Sequence, residues 1–171
     1  MPIIDVILII ILFGFIFYGL SAGLIRSLGV LVGVLVGAIL ASRLYTWVFD
    51  IIKPVFFGYN SVGLVLTFLF LFSIINKLTA LAFFFIEKIF NIIAIIPFLK
   101  TINRLAGAIF GFMAGSLTIG LVLYVVSRYA ILDAFLGQWL VASKLAPFFL
   151  RVAKLLLPLL PEILKQLKAV I

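Results

Sequence analysis

Four stretches of this chain are apolar over the length that crosses a bilayer, and that leaves few folds open to it. They cover residues 3–20, 24–48, 62–90 and 105–127. A hydrocarbon core of ~30 Å takes about 20 helical residues to cross, and a helix satisfies its own backbone hydrogen bonds in a medium that offers none. The reading is therefore all-α, an integral membrane protein with four transmembrane helices. Composition agrees: 67% of residues are hydrophobic and only 11% charged, where soluble domains carry about 25% charged residues.

The first stretch begins Met1-Pro2-Ile3-Ile4-Asp5, an acid with no base. A cleaved signal needs the reverse, so it reads as a retained span. Asp5 in its first turn suits the positive end of the helix dipole and reads as an interfacial helix-end charge, with a functional or partner-binding acid as the alternative. The third stretch is interrupted by Asn76-Lys77. Two readings compete there: one long tilted helix over about 62–90, which we favour because Phe83 to Ile86 would sit badly outside lipid, or a span ending at Lys77 with an interfacial helix after it. The linker over 49–61 mixes turn formers and charges with Ile51, Ile52, Phe56 and Phe57, and is expected to graze the membrane.

Residues 1–128 thus form the four-helix transmembrane domain, and 129–171 read differently. On a helix Lys144, Arg151, Lys154, Lys165 and Lys168 fall in one sector of roughly 120°, with apolar residues elsewhere and Pro147, Pro158 and Pro161 breaking the run. That describes a C-terminal amphipathic helical tail lying on the bilayer.

Several chemistries drop out. There is no Cys and no His, so thiol catalysis, disulfides, imidazole metal sites and His-dependent triads are excluded within this chain. The five acids, Asp5, Asp50, Glu87, Asp133 and Glu162, are far apart in sequence, and no metal or cofactor site is read. Ser73 and Lys77 lie one turn apart, a spacing that chance supplies easily, and no enzymatic role is assigned. The net charge of +8 is spread singly between apolar runs, so nucleic acid is not a partner. The expected partners are the bilayer with its anionic headgroups, and a second copy or other membrane proteins.

Small residues carry the packing signal. Gly29, Gly33, Gly37 and Ala41 repeat every four residues in the second span, and Gly107, Gly111 and Gly115 do so in the fourth, after Asn103-Arg104. In lipid, small side chains that let backbones approach supply much of helix association. The two stripes are expected to pack on each other, with Asn103 and Arg104 at the interface that Arg26 shares. Arg26 itself needs the interface or an acid, since an unpaired guanidinium in lipid is costly.

The order of these features resembles the colicin V production protein (CvpA) family. The resemblance runs through Asp5, the turn Gly23-Leu24-Ile25-Arg26, the small-residue second helix, Asn103-Arg104 with its three glycines, and a tail bearing Trp139, Ser143, Leu145 and Pro147. Ser27 and Ala114 depart from it, standing where many relatives carry an acid and a base. The resemblance implies a multi-pass protein of the bacterial inner membrane, linked to production or export of a peptide toxin (bacteriocin) and to envelope homeostasis. It implies a scaffold or accessory subunit rather than an enzyme; a small channel or transporter subunit lined by Arg26, Lys77 and Arg104 is the alternative. Bases near the spans weakly favour termini outside the cell, while the basic tail argues for the cytoplasmic face.

Overall fold

In a computed structural model, residues 2–56, 60–91, 99–127 and 142–159 are described. Four long helices, α1 (Ile3–Ala22), α2 (Leu24–Ile52), α3 (Asn60–Asn91) and α4 (Leu99–Ser127), are long and apolar enough to cross a membrane. A short helix, α5 (Ala146–Ala153), runs into a 3₁₀ turn at Lys154–Leu159. α3 continues without a break through Asn76 and Lys77, so the single long helix is the form adopted. α2 is likewise longer than its apolar stretch, reaching Ile52 before a 3₁₀ turn at Lys53–Phe56 closes it.

A single residue, Gly23, separates α1 from α2. Its φ of 84° lies in the left-handed region, which costs glycine nothing and other residues a good deal. The reversal sends α1 away from α2, however: beyond the turn, α1 packs along α4, while α2 packs mainly on α3 and also on α4. The helices therefore lie in the order α3, α2, α4, α1, with α4 the most buried of the four.

The core has two parts. The larger joins Val34, Ala38, Ala41 and Tyr45 of α2 to Phe68 and Phe72 of α3 and to Leu121 and Tyr124 of α4. The smaller gathers Leu8, Ile119, Leu123, Ala146 and Phe149 where α1, α4 and α5 meet. Residues 142–159 thus belong to the packed bundle: Phe149, Ala153 and Leu156 are buried while Arg151 and Lys154 face outward. The amphipathic pattern is present, and the part of its apolar face that carries Phe149 and Ala153 is covered by α4. Pro147 starts this helix instead of breaking it, as proline can in a first turn, where no intrahelical N–H is needed. Trp139, Lys165 and Lys168 lie outside the described residues.

Candidate functional site

The glycines of α4 set its distance from its neighbours. A Cβ at Gly107 would collide with the carbonyl of Gly19, and one at Gly19 with the carbonyl of Gly107. Gly111 lies against the Phe15 carbonyl, Gly115 against the Phe15 side chain, and Gly120 against the Phe149 carbonyl of α5. The α2 stripe faces elsewhere: Gly29 meets Phe83, Gly33 meets Asn76, and Gly37 meets Phe72, all on α3. The expectation that the two stripes pack on each other is therefore wrong. Spacing identifies a face that will be pressed but not which helix presses it, and the large side chains of α3 fill the α2 groove.

The polar residues tie the two ends of the bundle. At the Gly23 end, Asn103 Oδ1 accepts a hydrogen bond from the Leu24 N–H at 3.0 Å. That N–H opens α2, has no partner within its own helix, and is satisfied from α4. Ser27 is buried beneath this turn, its hydroxyl donating to the Gly23 carbonyl at 2.7 Å. Arg26 meets an acid: its Nε donates to Glu87 Oε2 at 3.0 Å, and its guanidinium lies 4.6 Å from the Phe84 ring centre. Sequence spacing could not find Glu87 for it, because the pair joins α2 to the far end of α3. Arg104 is exposed at this same end, in a cleft between α1 and α4 that is separate from Arg26.

At the opposite end, Asp5 departs from its reading as an interfacial helix-end charge. It is fully buried, accepting hydrogen bonds from the Ser143 hydroxyl and from the backbone N–H groups of Lys144 and Leu145 at 3.2 and 3.3 Å. The Ser143 Oγ in turn accepts from the Ala146 N–H at 2.9 Å. The hydroxyl thus satisfies the first unpaired donor of α5, and the carboxylate those of the two residues before it.

A third feature lies between the ends. α1 and α3 diverge over α2, leaving a cleft of about 410 Å³ walled by Ile11, Phe15 and Tyr18 on one side and by Asn76, Lys77 and Ala80 on the other. Lys77 is exposed there, and the buried Asn76 Oδ1 has no hydrogen-bond partner. It abuts Gly33, where only a weak Cα–H contact is on offer. Ser73 is exposed on α3. Arg26, Lys77 and Arg104 therefore stand in three different places and do not line one path.

Among the described residues, no cluster of acids could hold a metal ion. The polar side chains instead close contacts between helices, as in a multi-pass helical membrane protein packed on glycine. This chain belongs to the Colicin V production protein family, whose family model matches residues 4–154. The match runs through α5, so the family unit includes the docked tail helix. No curated protein matches, and no solved structure does.

Proposed function

We propose that this protein is a non-enzymatic scaffold or accessory subunit of the bacterial inner membrane, supporting production or export of a toxin (bacteriocin) and envelope homeostasis. The observation that carries the reading is how its polar groups are used. Asp5 holds α5, Glu87 holds Arg26, and Asn103 completes the turn into α2. These four side chains are engaged in holding helices in place. What remains for other molecules is surface: the lipid-facing sides of α1 and α3, and the cleft between them.

The test joins genetics to reconstitution. Removing the gene from a producing host should lower secreted bacteriocin, and photo-crosslinking from exposed positions such as Phe17 or Leu81 should capture membrane proteins. Purified protein in liposomes should pass neither ions nor small solutes. The alternative, a small channel or transporter subunit, draws on one observation, the cation Lys77 in a cleft open to the side. Flux through liposomes that disappears in Lys77→Met would establish that reading and displace the first.

A further inference from the structure

Lys77 is the one described cation that combines an interior position along its span with the absence of an acid partner. Of the described acids, Asp5 is bound to the tail, Glu87 to Arg26, and Asp50 is exposed at the far end of α2. Its depth follows from its neighbour. Asn76 touches Gly33, ten residues along α2 from the Gly23 turn and hence ~15 Å from it. Arg26 and Arg43, which bracket the apolar part of α2, are ~25 Å apart by the same rise. Lys77 therefore sits near the middle of the apolar slab. An ionisable side chain at that depth marks a functional position by default, with an opposite charge as its natural partner.

We infer that the cleft between α1 and α3 is a docking surface for a transmembrane helix of another protein that carries an Asp or Glu near the middle of its span. Depth decides against a lipid headgroup, which belongs at the surface ~15 Å away, whereas a helix presents a carboxylate at any level. Charge complementarity sets the sign. Lys77 is a donor only, and Asn76, which lines the same cleft and whose Oδ1 lies against Gly33, has its amide N–H donors to offer. Two donors side by side suit a carboxylate's two oxygens. A second copy of this chain offers no described acid at mid-span. The rim also fits a helix: Gly14 has open space where a Cβ would stand and Ala80 lies across from it, so an incoming backbone can approach closely.

This surface rests on the scaffold reading, and the experiment separates the two. The full chain, carrying a photo-crosslinking residue at Leu81, is reconstituted in phosphatidylcholine vesicles with a Leu/Ala transmembrane peptide bearing one central Glu. Companion peptides carry Gln, Leu or Lys at the centre, or the Glu near one end. The central Glu peptide should cross-link at least about fivefold more than the Leu peptide, with Gln intermediate and Lys lowest. Lys77→Met should bring the Glu yield down to the Leu level, Lys77→Arg should restore most of it, and Gly14→Leu should lower it with the thermal midpoint unchanged. Equal yields for Glu and Leu peptides overturn the docking surface. So do cross-links formed solely to lipid, to a second copy or within the chain. If host-cell cross-links from α1 or α4 still capture membrane proteins in that case, the scaffold reading stands without this cleft.

Discussion

The Asp5 carboxylate and the Ser143 hydroxyl, 138 residues apart in the chain, are bonded to each other in the interior of the protein. Through that bond the first turn of α1 holds the segment that leads into α5. The consequence is mechanical. α5 is fixed against α4 by Phe149 and Ala153, and its start is fixed by an acid from α1. Both residues are among those that carry the family resemblance, and the structure gives them a shared task.

Removing either side of that bond should loosen the tail without unfolding the bundle. Ser143→Ala deletes the hydroxyl that caps the Ala146 N–H, a loss of about 0.5–2 kcal/mol in helix-capping series. Asp5→Asn keeps the shape but turns one acceptor into a donor, facing a hydroxyl and two N–H groups that need acceptors. A cysteine at Leu145, unique in this Cys-free chain, should be alkylated several-fold faster in both variants than in the parent. Unchanged labelling would mean that the Phe149 and Ala153 contacts alone hold the tail.

Gly107 and Gly14 should respond in opposite ways to the same change. A methyl at Gly107 meets the Gly19 carbonyl, which is backbone and cannot rotate aside; overpacking of that kind costs about 1–3 kcal/mol. A methyl at Gly14 meets nothing within 4 Å, and replacing a mid-helix glycine there should be neutral or gain up to ~1 kcal/mol. Midpoints of SDS-induced unfolding for Gly107→Ala and Gly14→Ala would show the contrast. Gly111→Leu, set against the Phe15 carbonyl, should disrupt folding or assembly outright.

These contrasts also mark what can be read from the chain. The four spans were legible because lipid imposes length and apolarity on each of them, whatever its neighbours. Gly29, Gly33, Gly37, Gly107, Gly111 and Gly115 were legible as positions under pressure, since a four-residue repeat defines a face. Their partners were not: the one-residue turn at Gly23 sends α1 to α4, which no local pattern encodes. Arg26 announced its need for an acid without naming Glu87. The burial of Asp5 was invisible because its partners come from the far end of the sequence, where the basic residues pointed toward headgroups. The cleft at Lys77 arises from the divergence of two helices, a property of packing rather than of either helix.

The Arg26–Glu87 pair should behave as a coupled unit. With Arg26 30% exposed and Glu87 17%, the ion pair is partly shielded, and the guanidinium also rests on Phe84. Arg26→Gln and Glu87→Gln should each destabilise, and the double variant should cost less than their sum by on the order of 1 kcal/mol. Exchanging the two charges should recover part of the loss, but not the contact with Phe84, whose own replacement by Leu should weaken Arg26 in the native background alone. Unfolding midpoints at low and high salt give a second check, because a half-shielded pair is screened less than a surface one.

Gly33 and Asn76 offer a case in which one change should partly offset the damage done by another. A methyl at Gly33 would run into Asn76 Oδ1 and lie 3.0 Å from the Asn76 carbonyl, so Gly33→Ala should push α2 and α3 apart. Asn76→Ala removes the side-chain atom that is struck, and with it a buried oxygen that has no hydrogen-bond partner. Alone, Asn76→Ala should therefore cost little, since the packing it gives up is offset by the loss of an unsatisfied acceptor. Combined with Gly33→Ala, it should return about 0.5–3 kcal/mol of the stability lost, the range seen for residues in direct contact. The carbonyl at 3.0 Å remains, so recovery should be incomplete. Full additivity of the two changes would show that Asn76 does not sit against Gly33, and the depth assigned to Lys77 would have to be drawn again.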